Sequence, residues 1–142
     1  MMPAGVRGRT VLVVDDDPDT LVYLAALLED HGLRTVTARN AAEGLQAARK
    51  ARPDAITLDI AMPGRSGIDV FTRLRSTRDL ASIPVIIVTG AIQFRELVYH
   101  RNVPPPDGYV EKPVKPELLL MSVRKVLELR HRAAAPPAAD GR

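Results

Sequence analysis

The chain has 142 residues, 46% hydrophobic and 26% charged, with a mean hydropathy of -0.04, which suits one domain with its own core and is too short for two. No apolar stretch approaches the roughly 20 residues of a membrane-spanning helix, the run after Arg7 and Arg9 meets three aspartates too early for a signal peptide, and the absence of cysteine excludes disulfides, thiolate metal sites and cysteine nucleophiles. The formal charge of +3 is spread over separated arginines such as Arg34, Arg39, Arg49, Arg52, Arg73 and Arg78, so a solvated surface is expected rather than a nucleic-acid interface, with the cytoplasm as the default compartment.

Apolar runs alternate with helical patterns along the chain, the signature of βα units building a parallel sheet. Thr10-Val11-Leu12-Val13-Val14 has no polar alternation, as expected of a strand with helices on both faces. Asp17-Pro18 reads as a helix cap followed by proline at the first helical position. Leu21, Leu24, Ala25 and Leu28 then share one face until His31-Gly32 stops the helix. Arg34 to Ala38 is a more polar strand of the kind found at a sheet edge. Asn40 with Glu43 opens a second helix by a capping arrangement, carrying Ala41, Leu45 and Ala48 towards Ala51, and Pro53 ends the pattern.

The third strand, Ala55 to Leu58, delivers Asp59, and a loop with Pro63, Gly64 and Gly67 leads into a helix using Val70, Phe71 and Leu74. Pro84 precedes the strand Val85-Ile86-Ile87-Val88, which delivers Thr89. Ile92 to Tyr99 can form about two turns of helix, but Pro104-Pro105-Pro106 forbids its continuation and Asp107-Gly108 signals a turn. Tyr109-Val110-Glu111 forms a short fifth strand closed by Lys112-Pro113. Pro116 opens a last helix with Leu119, Val123, Val126 and Leu127 on one face. Residues 1–8 are expected to be a flexible lead-in, 9–131 the domain, and 132–142, with Pro136-Pro137, a disordered tail or the start of a linker.

In open α/β sheets the functional groups gather beyond the carboxyl ends of the strands. Here those ends carry Asp15-Asp16-Asp17, Arg39-Asn40, Asp59, Thr89 and Lys112. Carboxylates with backbone oxygens and water suit Mg²⁺, a hard cation that rarely takes an all-protein cage, and Asp15, Asp16 and Asp59 are the natural ligands. Asp17 reads as a cap rather than a ligand. Singly, Asp15 and Asp16 would be turn residues, Thr89 a buried or capping hydroxyl and Lys112 a surface lysine. Together they favour phosphoryl transfer onto a carboxylate, with Asp59 as nucleophile and Mg²⁺ and Lys112 stabilising the transferred oxygens.

The ordered set Val13-Val14-Asp15-Asp16-Asp17-Pro18, Leu58-Asp59-Ile60-Ala61-Met62-Pro63-Gly64 with Gly67, Val88-Thr89-Gly90 and Gly108-Tyr109-Val110-Glu111-Lys112-Pro113 resembles the receiver domain of bacterial two-component response regulators, over about residues 9 to 131. The resemblance implies an α/β fold, a doubly wound five-stranded parallel sheet of flavodoxin-like (βα)₅ type in strand order 2-1-3-4-5. It implies Asp59 as phosphoacceptor, Asp15 and Asp16 as the acidic pair holding Mg²⁺, and the Ala61 backbone carbonyl as a further metal ligand. Thr89 matches the switch hydroxyl, Tyr109 the aromatic switch and Lys112 the site lysine, whose bond to Pro113 is usually cis in this family. The implied partners are a histidine kinase or phosphotransfer protein upstream and an unknown protein or output domain downstream, with no direct nucleic-acid or membrane binding and a monomer or weak dimer. Such a domain is a phosphoacceptor that assists its own phosphorylation and slow dephosphorylation, not an enzyme acting on an external substrate.

Two departures stand out. Tyr99 to Pro106 replaces the usual approach to the fifth strand, so the preceding helix is expected to be shortened, shifted or mobile. Ala61 and Ala91, at positions that in this family border the path of hydrolytic water, cannot orient a water, and slow loss of the acyl phosphate is expected. The competing reading is a receiver-like protein-docking module, with an atypical helix before the prolines, that signals without phosphate. A small phosphohydrolase with an aspartyl intermediate generally needs a second Asp two residues after the nucleophile, where this chain has Ala61. After Met121 only one helix and a Pro/Ala tail are expected, too little for a DNA-binding output domain.

Overall fold

The computed structural model describes residues 2–63, 66–90 and 102–134. In chain order its elements are β1 (Thr10–Val14), α1 (Pro18–Asp30), β2 (Arg34–Ala38), α2 (Ala41–Ala51), β3 (Ala55–Leu58), α3 (Ser66–Ser76), β4 (Val85–Thr89), β5 (Gly108–Glu111) and α4 (Pro116–Ala134). The five strands form one parallel sheet in the order β2-β1-β3-β4-β5, as the family resemblance implied. Successive strand residues point to opposite faces, so β1 alone feeds two cores. Leu12 and Val14 join Leu45, Ile68, Phe71 and Leu74 from α2 and α3. Val11 and Val13 join Leu24, Leu28, Leu119 and Val123 from α1 and α4. Burial on both faces is why β1, β3 and β4 read as near-continuous apolar runs.

The helix ends follow the chemistry of the residues that flank them. Asp17 Oδ1 accepts from the Asp19 N–H at 3.2 Å, and Pro18 stands at the first helical position of α1. At the other end Gly32, at φ +95°, lets the Leu33 N–H reach back to the Leu28 carbonyl at 3.2 Å. In α2, Asn40 Oδ1 accepts from the Glu43 N–H at 2.9 Å, while Glu43 Oε1 accepts from the Arg39 N–H at 3.0 Å. That is a reciprocal cap displaced by one residue from the usual capping box.

Three expectations need revision. Gly67 lies inside α3 rather than in the loop before it. The last helix continues past residue 131 to Ala134. Residues 2–8, expected to be flexible, pack against the domain: the Met2 N–H donates to the His31 carbonyl at 2.9 Å and the Gly8 N–H to the Gly32 carbonyl at 2.8 Å, with Met2 and Val6 buried in the α1/α4 core. The helix expected over Ile92 to Tyr99, together with Gly64, Ala91 and the tail from residue 135, lies outside the described residues.

Candidate functional site

The strand ladder continues one residue beyond β1 and β3, and this brings the first two carboxylates together. The Asp15 N–H donates to the Ala38 carbonyl at 3.1 Å, and the Asp59 N–H to the Val14 carbonyl at 3.0 Å. Each aspartate is therefore held by the strand next to its own. Both are buried, whereas Asp16 is exposed. Carboxylate oxygens of Asp15, Asp16 and Asp59 all lie within 4.8 Å of one another. Asp17 is taken up by the start of α1, with Thr20 Oγ1 donating to its Oδ2 at 2.7 Å, and acts as the cap of that helix.

Lys112 closes the site from β5. Its N–H donates to the Thr89 carbonyl at 3.0 Å, continuing the β4–β5 ladder, and Thr89 lies opposite Glu111 in that register. Its Nζ donates to Asp15 Oδ2 at 2.6 Å and to Asp59 Oδ2 at 3.1 Å. Burial works against the ammonium more than any other single influence, yet the hydrogen bond it donates to Asp15 and the charges of both aspartates outweigh it and raise the lysine pKa. Asp15 is also raised: burial is the largest cause, offset in part by Lys112 and by the Asp17 N–H, which donates to Asp15 Oδ1 at 3.0 Å. The other oxygen of the Asp59 carboxylate, Oδ1, accepts from the Ala61 N–H at 2.9 Å, so the β3–α3 turn fixes its orientation.

Three carboxylates against one ammonium leave a formal charge of -2 in a small volume. An all-oxygen donor set with that deficit fits a hard divalent cation. Thr89 is fully buried at the end of β4, and the half-buried Tyr109 packs its ring against the α2/α3 core. The Lys112–Pro113 peptide is cis. Every described residue of the predicted site thus lies at, or leads up to, the carboxyl edge of the sheet.

Two features were not read from the sequence as part of the site's support. A Cβ on Gly67 would come within 2.4 Å of the Asp59 carbonyl oxygen and of the Ile60 Cα, so only glycine lets α3 press directly on the backbone that carries Asp59. Arg75 is buried, although it belongs to a chain whose arginines read as surface charge. The signal was present: Arg75 falls four residues after Phe71 and seven after Ile68, on the buried stripe of α3.

This fold and site define a receiver, and the chain belongs to the response regulator receiver domain family, whose sequence model matches residues 11–124. Members of that family act in two-component signalling. Among its relatives, the protein PilH of Pseudomonas aeruginosa is 38% identical over 117 residues, covering 82% of this chain and 96% of PilH. The DNA-binding response regulator MtrA of Mycolicibacterium smegmatis is 35% identical over 116 residues, covering 82% of this chain and 49% of MtrA. The chain therefore spans nearly all of one relative and about half of the other. Among solved structures, the CheY-like response regulator receiver domain protein of Methanospirillum hungatei JF-1 superposes with a TM-score of 0.80 at 27% identity, covering 89% of this chain and 99% of that one. Chemotaxis response regulator CheY4 of Vibrio cholerae gives 0.74 at 27% identity, covering 84% and 98%. No helix among the described residues is long and apolar enough to cross a membrane.

Proposed function

We propose that this receiver accepts a phosphoryl group on Asp59 from a histidine kinase or phosphotransfer protein, in a Mg²⁺-dependent reaction, and so switches a surface read by a downstream protein or output domain. The observation that carries this reading is the placement of Lys112 Nζ between Asp15 and Asp59, beside a third carboxylate from Asp16. An Asp59 carboxylate oxygen attacks phosphorus, a new O–P bond forms, and the P–N bond of a phosphohistidine or the P–O bond of an acyl phosphate breaks. The leaving group takes the electron pair. Asp15, Asp16, Asp59 and the Ala61 carbonyl would hold the Mg²⁺, which supplies positive charge against the phosphoryl oxygens. Lys112 contributes a second positive charge from a fixed position, and the Ala61 N–H holds one carboxylate oxygen so that the group is aimed before the donor arrives.

The proposed switch builds on the same site. A phosphoryl group on Asp59 offers acceptor oxygens to the Thr89 hydroxyl, and movement of Thr89 changes the space open to the Tyr109 ring. The spread of basic residues supports a protein partner rather than nucleic acid, and the reading takes the chain as a cytoplasmic monomer or weak dimer. The test is incubation with Mg²⁺ and acetyl phosphate. Wild-type protein is expected to gain one phosphate mass, and Asp59→Asn to gain none and to lose the donor-dependent change in the Tyr109 signals. A mass gain that survives in Asp59→Asn would overturn the assignment, and failure of the wild type with a range of donors would favour a docking module that signals without phosphate.

A further inference from the structure

Lys112 serves the site from the end of β5, an edge strand with little apolar packing to specify its position. β5 has four residues, lies at the sheet edge and pairs only with β4. Val110 is its one buried side chain. Register is strongly specified where a hydrophobic face is buried and weakly where it is not, and a one-residue slip turns every side chain to the other face. A slip here would carry Lys112 away from Asp15 and Asp59.

At the opposite end of the strand, hydrogen bonds tie the chain to the start of β4. The Asp107 N–H donates to the Val85 carbonyl at 2.8 Å, and Asp107 Oδ2 accepts from the Val85 N–H at 2.8 Å, closing a ring with the first residue of β4. The same Oδ2 accepts from Arg75 Nη2 at 2.7 Å. From α3 that guanidinium also donates to the carbonyls of Pro105 at 2.7 Å, Ile83 at 3.1 Å and Pro104 at 3.3 Å. It thus grips the approach to β4 and the approach to β5 together. Its side chain is 5% exposed and its guanidinium carbon lies 5.4 Å from the centroid of the Phe71 ring.

The prolines suit this arrangement. They have no N–H to offer a neighbouring strand, but their carbonyls are free to accept, and Arg75 supplies the donors in a planar fork that lysine lacks. On the other face, a Cβ on Gly108 would meet Ser122 Oγ of α4 at 2.6 Å, so β5 begins pressed against that helix. Four residues of extended chain, five steps or about 17 Å, separate Asp107 from Lys112.

We infer that Arg75 and Asp107 are positioning residues for Lys112: they set the register of β5 at its start and thereby deliver the ammonium to Asp15 and Asp59 at its end. The inference deepens the phosphoacceptor reading and rests on it for its kinetic arm only. That arm measures the initial rate of phosphorylation by acetyl phosphate in wild type, Arg75→Met, Lys112→Ala and the double variant. Arg75→Met is expected to be slower by about 10- to 100-fold, Arg75→Lys to recover part of the rate, and the double variant to be no slower than Lys112→Ala. The second arm uses neither donor nor metal and follows hydrogen exchange of the Lys112 amide, bonded to the Thr89 carbonyl, in protein shown to be folded by circular dichroism. Arg75→Met is expected to lose protection there while the amides of β1 and β3 keep theirs.

If Arg75→Met fails to fold, Asp107→Asn, which keeps an acceptor for Val85 and removes the charge facing Arg75, is held to the same criteria. Retained protection at Lys112 with a wild-type rate would overturn the inference, as would effects of Arg75→Met and Lys112→Ala that multiply. A wild-type protein that takes up no phosphate ends the phosphoacceptor reading, and the exchange arm then decides the register claim alone.

Discussion

Thr57 of β3 is a polar side chain among apolar neighbours in the centre of the sheet. It is 1% exposed, lies between Val13 and Ile86 in the sheet register, and its Oγ1 has no hydrogen-bond partner among the described residues. A buried hydroxyl without a partner costs about 1–3 kcal/mol. Thr57→Val is therefore expected to stabilise the domain by about 1 kcal/mol, read as a higher urea midpoint at unchanged slope, and a lower midpoint would mean that the hydroxyl is satisfied in solution. At this scale the placement of the candidate residues was largely legible in the sequence, because Asp15 and Asp59 directly follow apolar runs and Lys112 closes a short strand pattern. The role of Arg75 was not legible. Charge and composition place arginine at the surface by default, and only the helical phase of Phe71 and Ile68 pointed inward.

Among the elements, the helix caps match the sequence closely, since capping needs only side chains within a few residues of the helix end. The cap of α2 makes a pH prediction. The Arg39 N–H, together with the Arg39 guanidinium, bonds the charged form of Glu43 and lowers its pKa. A pKa lowered by folding means that the contribution to stability is present above the ordinary carboxylate range and is lost as pH falls through the folded-state value. The stability difference between wild type and Glu43→Gln is accordingly expected to be larger at about pH 7 than at about pH 3, measured by urea unfolding at both. A difference that grew on acidification would reverse the assignment. Where the sequence misled, the reason was tertiary: Gly67 looks like a loop residue until the backbone of Asp59 and Ile60 is seen pressed against it, and that approach is what a side chain would prevent.

For the molecule as a whole, strand order followed from the family resemblance, since apolar runs reveal strands without ordering them. The extent of the folded unit was less legible. Residues 2–8 have no periodic pattern, and only their docking against His31, Gly32 and α4 reveals Met2 and Val6 as core residues. Val6→Ala is expected to cost about 1–2 kcal/mol and Met2→Ala about 2–3 kcal/mol, seen as lower melting temperatures with the site geometry unchanged. Values near zero would mean that this segment leaves the domain in solution.

The same docking has a practical consequence. A Cβ on Gly5 would lie 3.3 Å from His131 Nε2, and Arg9 Nη2 donates to His131 Nδ1 at 2.9 Å, so the beginning of the chain and the far part of α4 lie side by side where the strands begin. Asp59 sits where they finish. A pair of fluorophores attached near residues 5 and 131 would report on opening of the domain and not on events at the opposite edge of the sheet, and a short linker joining the two flanks would give a circular permutant that could be reopened in another loop.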